Sequence, residues 1–447
     1  MDFLMDFVTK INSILWDYLL IFLLCGTGIY FTFKLNFIQV RKFKEAFKLT
    51  FGNIKFGKKA GKDGMSSFQA LATSIAAQVG TGNLAGAATA IVAGGPGAIF
   101  WMWISAFFGM GTIFAEATLA QTYKEEVDGE VVGGPAYYIS KGLKSKKLAV
   151  FFSITIILAL GFIGNMVQSN SIGGAFSSAF NVDPRIVGII VALLAGVIFI
   201  GGVSRIASFT EKVVPFMALF YILGSIFIIF KNYTLILPAF KMIIVGAFNP
   251  SAITGGVLGI TVKKAVRFGV ARGLFSNEAG MGSTPHAHAI AKVAHPSQQG
   301  LVAIVGVFID TFIILTLTAL TILTTGALNT GTDGIVLTQE AFKLGMGQWG
   351  GSFIAIALFF FAFSTIIGWY FFGESNIKFL FGKKGITPYR ILVMIFIFLG
   401  CCAKVDLVWS LADTFNGLMV LPNLVALLAL SPIVKSSLND YLKRKDL

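Results

Sequence analysis

Long apolar stretches separated by short polar ones run the length of the chain. A helix that crosses a bilayer needs roughly 20 predominantly apolar residues. On that measure the pattern predicts spans at 13–33, 66–93, 97–122, 148–176, 184–202, 213–230, 264–293, 300–326, 350–373, 388–403 and 408–432, eleven in all. The span at 264–293 departs from the rest, because Lys264, Arg267 and Arg272 fall in its first half. Such a helix is tolerated only where neighbours shield it or where it lines a wet cavity. The segment before it, 237–262, reads as a loop-helix at the membrane surface. Short helices in loops are predicted near 134–142 (GPAYYISKG) and 333–346.

Composition agrees with this reading and excludes a soluble chain. Hydrophobic residues make up 56% and charged residues 13%, with a mean hydropathy of +0.82. Soluble domains carry about 25% charged residues to wet their surface, so this surface faces lipid. The net charge of +14 would suggest nucleic acid in a soluble protein. Here it sits in loops and orients the chain. Residues 34–62 alone hold nine Lys and Arg against one acid, Glu45. Alternating from that loop, 25 of the 35 cations fall on its side, six on the other, and four at 263–272. The expected orientation is N-terminus outside and C-terminus in the cytoplasm. Cys25, Cys401 and Cys402 lie in apolar runs and build no disulfide framework or metal site. The start, MDFLMDFVTK, is acidic and gives no cleavable signal peptide.

An internal repeat adds a direction. Residues 78–82 read QVGTG and 278–282 read EAGMG. At an offset of 200, Gly80 meets Gly280, Gly82 meets Gly282 and Ala87 meets Ala287. The two segments are an odd number of crossings apart, so they run oppositely through the membrane. An inverted pair of Gly-interrupted helices points to the binding site of a secondary transporter.

Polar groups inside these spans are the candidate chemistry. In TSIAAQVGTGNLAG (73–86), Gln78, Thr81 and Asn83 lie mid-span among glycines. Close packing through Gly82 and Gly86 is one explanation. An unwound break is the other, with freed carbonyls for a sodium ion and freed N–H groups for a carboxylate. FSNEAGMGSTP (275–285) repeats the logic with an acid, Glu278, which either ligates a cation or braces the break by accepting backbone N–H bonds. Asn165, Gln168 and Asn170 are amides in the apolar span 148–176, where interhelical bonding and, for Asn170, substrate contact both fit. Ser364 and Thr365 are adjacent mid-span hydroxyls, with Trp369 one turn on. They either bond back to their own helix or offer the oxygen ligands a hard cation takes. Glu116, Asp310 and Asp413 are further intramembrane acids, and so functional candidates. His286, His288 and His295 suggest no metal site, and nucleotide-binding loops and Ser/His/Asp arrangements are absent. Neither ATP-driven pumping nor an intramembrane enzyme is supported.

GGPGAIFWMWISAFFG (94–109) and SNEAGMGSTPHAHA (276–289) resemble the signature runs of the alanine or glycine:cation symporter family, and the likeness covers essentially the whole chain. Ile113 departs from it, standing where many relatives carry Lys before FAE. The resemblance implies an all-α prokaryotic plasma-membrane protein of LeuT-type fold. One extra helix and basic loop (1–62) would precede two inverted five-helix repeats (63–232 and 233–432), followed by a cytoplasmic tail (433–447). It implies Na⁺-coupled import of alanine and glycine by alternating access.

By the same likeness Gln78, Gly80, Thr81 and Gly82 face substrate. The backbone oxygens of Ala76 and Val79, with Ser364 and Thr365, form the sodium site. Phe275 and Ser276 match the substrate-facing positions of the second broken helix, and Asn170 and Trp369 fall on the helices that close the pocket. Thr365 borders the substrate, and Phe275, Ile366 and Trp369 bound a small side-chain space. The substrate carboxylate would sit near Gly80, with its ammonium group near Gln78 and the carbonyls of the second break. Proton coupling through Glu278 or Asp310 is the alternative within this fold, and an ion channel the alternative outside it. A single inverted pair suits a carrier better than a channel, which assembles rings of ligands by symmetry. Besides substrate and lipid, no nucleic acid and no obligate protein partner is expected.

Overall fold

A computed structural model describes residues 2–52, 64–127, 129–249, 261–403 and 405–444. It is helical almost throughout. Among the described residues, the one sheet is a hairpin pairing Glu125–Val127 with Glu130–Val132. Six helical stretches there are long and apolar enough to cross a membrane: Gly97–Thr122, Lys146–Phe180, Gly202–Lys231, Pro296–Thr325, Trp349–Cys402 and Val408–Ala429. A seventh arises if Ser67–Gln78 and Gly82–Gly94, bent by 49° at the residues between them, are one span. Leu20–Lys34, Pro184–Ile200 and Tyr233–Phe248 are apolar but shorter.

Two predicted spans, 350–373 and 388–403, lie in the single 54-residue stretch Trp349–Cys402, joined by a 3-10 turn at Gly382–Gly385. The span predicted at 264–293 is redrawn. Its helix stops at Asn277, and its second limb, Pro285–Ala289, has only five residues. Glu278, Gly280 and Gly282 take φ values of 57°, 87° and 82°, and that left-handed backbone ends the helix. Within 237–262, Ile236–Phe248 is an apolar helix packed on 97–122. A Cβ on Gly97 would come 2.2 Å from the Gly246 carbonyl. Residues 250–260 lie outside the described residues. The two loop helices appear as Pro135–Gly142 and Gly334–Met346.

Local sequence explains where these helices begin. Ser66 and Gln69 form a reciprocal capping box ahead of Ser67–Gln78. Pro135, Pro184, Pro285 and Pro296 each open a helix, where the missing N–H costs nothing. Glycine then sets the packing distances. A Cβ on Gly368 would sit 3.0 Å from Ala77, and one on Gly269 would sit 2.4 Å from the Ala98 carbonyl. These contacts bring the helix before the first break against 349–381, and the helix before the second break against 97–122. Large apolar side chains such as Phe22, Phe230 and Leu237 face outward, as a lipid-exposed surface requires.

Candidate functional site

The two interrupted helices meet at their breaks. The first helix ends at Gln78. Val79 is extended (φ −83°, ψ 91°), and helical geometry resumes at Thr81 and passes into a π turn, Gly82–Gly86. Gln78 donates from Nε2 to the carbonyl oxygen of Asn277 at 2.7 Å, which ties the first break to the second. Gly82 packs on Ser276, and a Cβ there would lie 3.0 Å from the Ser276 Cα.

The freed N–H groups of the first break are capped by side chains. Gly80 N–H donates to Asn83 Oδ1 at 2.9 Å, and Thr81 N–H to Gln168 Oε1 at 3.3 Å. Two amide oxygens thus occupy the seat expected for a carboxylate. Gln78 Oε1 and Thr81 Oγ1 are buried and lack a hydrogen-bond partner.

Asp310 joins both breaks from a third helix. It is fully buried in the π segment Phe308–Leu315, a geometry frequent at functional sites. It accepts from Asn83 Nδ2 at 2.7 Å, Ser276 Oγ at 2.9 Å and Thr311 Oγ1 at 2.8 Å. Among the described residues, no cationic side chain pairs with it.

Opposite the first break, Thr365 Oγ1 donates to the Ala76 carbonyl at 2.9 Å, and Ser364 Oγ lies 3.4 Å from the same oxygen. Both hydroxyls also bond back to Phe361 O. Three uncharged oxygens therefore converge where Na⁺ binding was expected, a donor set that fits a hard cation. Ile366 follows, fully buried. Phe275 and Trp369 meet edge to face at 6.3 Å.

Trp369 has a second duty: its Nε1 donates to Glu278 Oε1 at 2.5 Å, and Ser283 Oγ donates to Glu278 Oε2 at 2.6 Å. The backbone brace expected of Glu278 belongs instead to Glu116. Its two oxygens accept the N–H groups of Gly282 and Gly280, each at 2.9 Å, and Asn423 Nδ2 adds a bond at 2.7 Å. Both Glu278 oxygens are taken by side chains, those of Trp369 and Ser283. Asn170 is bonded to neither break. Its amide donates to the carbonyls of Gly400 and Ala403, closing the end of the 386–402 helix. Asn165 bonds back to Gly161 O in its own helix.

A cavity of about 540 Å³ opens at the end of the bundle that carries Gly334–Met346, lined by Asn170, Thr89, Asp333, Trp409, Arg272 and Asp413. Arg272 forks onto Asp413 at 3.2 and 3.3 Å and lies over Trp409, which packs on Phe275. At the opposite end, described residues draw the second break against the start of the first broken helix. Met65 pairs with the strand-like backbone at Ile290 and Lys292, and Gln121 Nε2 donates to the carbonyls of His288, Ala289 and Ala291.

Residues 1–447 match the family described as the sodium:alanine symporter family. The chain belongs to that family. It is 45% identical to the sodium/alanine symporter AgcS of Methanococcus maripaludis, over 99% of this chain and 98% of that one. It is 46% identical to the probable sodium/glutamine symporter GlnT of Bacillus subtilis, over 97% and 90%. Among solved structures it resembles MhsT in complex with L-phenylalanine, with a TM-score of 0.56 at 14% identity, covering 86% of this chain and 99% of that one. That likeness shows the LeuT-type fold. This sodium:alanine symporter family member is therefore a multi-pass membrane transporter, a sodium-coupled amino-acid symporter and not an enzyme.

Four residues carry much of the site's geometry: Asn83, Gln168 and Glu116 stood in the sequence only as polar candidates, and Asp310 only as an alternative proton-coupling group. Their signal was the same in each case, an amide or acid inside an apolar span.

Proposed function

We propose that this transporter imports alanine and glycine with Na⁺ across a prokaryotic plasma membrane, N-terminus outside and C-terminus in the cytoplasm, by alternating access. The observation that carries the reading is the meeting of two broken helices beside three convergent oxygens, Ala76 O, Ser364 Oγ and Thr365 Oγ1. Those oxygens, with the carbonyl of Val79, hold Na⁺. The substrate carboxylate takes the N–H groups of Gly80 and Thr81 by displacing the amide oxygens of Asn83 and Gln168. Its ammonium group turns to the unpartnered Gln78 Oε1. Gly82 and Ser276 form the facing wall. The 540 Å³ cavity is the outer entry, and the Arg272–Asp413 pair stands at its inner limit.

Uptake of labelled alanine into proteoliposomes is expected to follow an imposed Na⁺ gradient. Thr365→Ala removes one hard oxygen and should shift the Na⁺ dependence to higher concentration. An unchanged Na⁺ titration in that variant would take Thr365 out of the site. The cationless burial of Asp310 favours a second reading of the coupling ion, a proton. Under it, a pH gradient alone would drive uptake in Na⁺-free medium, and Asp310→Asn would abolish that uptake.

Restriction to small side chains rests on Phe275, Ile366 and Trp369, all buried. Ile366→Ala is the cleaner probe, because trimming Trp369 also strips a donor from Glu278. It should admit serine and valine and weaken alanine, by about 1–3 kcal/mol per methylene-sized change. An unaltered competition profile would place the boundary elsewhere.

A further inference from the structure

A groove on the lipid-facing flank has no part in the site described above. It encloses about 640 Å³ between the last turn of Lys146–Ile156 with the π segment that follows it, Ile157–Gly164, and the junction of Trp349–Phe381 with Ile386–Cys402. Its walls include Ile154, Leu158, Phe162, Pro388 and Leu392, and Lys384 is its one charged lining residue. Phe162 packs on Tyr389 at 5.7 Å, which makes that wall aromatic, and the Tyr389 hydroxyl is turned inward onto the Tyr370 carbonyl.

Positive charge is concentrated at one end. Lys384 lies in the turn Gly382–Gly385, at the N-terminus of the 17-residue helix Ile386–Cys402, which no side chain caps. Lys147 stands seven residues before Ile154. Two helical turns place it on the groove's face, roughly 10 Å toward the same end. Two lysines near Lys384 are already paired, Lys378 with Glu130 and Glu374, and Lys383 with Glu130. Lys147 and Lys384 are exposed, and no described carboxylate pairs with either.

An apolar trough open to the bilayer, ending in two unpaired cations and a positive helix end, matches a molecule with a hydrocarbon tail and an anionic head. We propose that the groove seats one acyl chain of an anionic phospholipid from the surrounding membrane, with its phosphate held between Lys384 and Lys147. The seat runs along the π segment Ile157–Gly164 and reaches Tyr389. Through Tyr370 it touches the helix that carries Ser364 and Thr365.

Native mass spectrometry of the full-length protein in detergent, with phosphatidylglycerol or phosphatidylcholine added, tests the proposal. Wild-type protein should retain phosphatidylglycerol in preference to phosphatidylcholine. Neutralising both lysines (K147Q with K384Q) should weaken that retention about 25-fold, at about fivefold for each cation. Both are surface positions, so folding should be normal by elution profile. Leu158→Trp fills the trough and leaves the lysines, and it too should displace phosphatidylglycerol. Equal retention of the two lipids overturns the proposal, as does retention in the double variant. Loss in the lysine variant with full retention in Leu158→Trp overturns it as well, since it would mean adsorption by surface charge without a seat for the chain.

Discussion

Gly80→Ala is expected to abolish measurable sodium-dependent alanine binding in protein that still folds. The added methyl group would lie 2.5 Å from Thr365 Oγ1 and 3.2 Å from Gln168 Oε1. Thr365 cannot simply rotate away. It is β-branched, and its hydroxyl is fixed by bonds to Ala76 O and Phe361 O at 2.9 and 3.0 Å. The methyl also favours rewinding by about 1 kcal/mol. Overpacking of this kind costs roughly 1–3 kcal/mol. Together the effects amount to about 2–4 kcal/mol, or roughly 30- to 1000-fold in affinity. Gly86→Ala is the control, since its nearest neighbour would be Thr81 O at 4.0 Å. Calorimetry on monodisperse protein separates lost binding from lost folding. Near-normal affinity in well-folded Gly80→Ala would remove the break from the binding site.

Glu116→Gln should be nearly as damaging, by another route. Each carboxylate oxygen receives a backbone N–H, and one receives Asn423 as well. An amide offers one oxygen and one NH₂, so whichever way it turns, a donor faces a donor. A buried N–H left without an acceptor costs about 1–3 kcal/mol. Here the orphan would be a peptide group in the left-handed turn that makes the second break. Lower thermal stability in detergent and strongly reduced uptake are expected together. Wild-type melting and wild-type uptake in Glu116→Gln would show that the break holds itself.

The interruption of two helices was legible because its causes are local. QVGTG and EAGMG put flexible glycines and polar side chains inside apolar spans, and the chain breaks at both places. Equivalence by offset did not carry into conformation, however. Gly280 and Gly282 are left-handed, while Gly80 and Gly82 are not. Side-chain partners were much less legible. Glu278 sits beside the peptide groups that need an acceptor, yet Glu116, 164 residues from Gly280, supplies it. Nothing in the period of the 97–122 helix marks which face meets that turn. The approach of Thr365 to Ala76 spans 289 positions, and it was anticipated only through family likeness. The amides at 165–170 looked alike in sequence. Gln168 reaches the first break, Asn170 closes a helix end and Asn165 bonds to its own helix, because successive residues on a helix point about 100° apart.

The amide oxygen that Gln168 holds against Thr81 N–H changes what any measurement of affinity means. In the proposed binding mode, this N–H already has an acceptor before a carboxylate reaches it. Under that proposal a carboxylate exchanges one acceptor for another, so the heat released would report the difference between a charged and a neutral acceptor rather than the bonds in the complex. With Gln168 Oε1 as its acceptor, this N–H is not an orphaned donor that would draw stray anions into the membrane. On the proposed alternating-access cycle, the return stroke would run with this N–H already satisfied, which would limit slippage between ion movement and substrate movement.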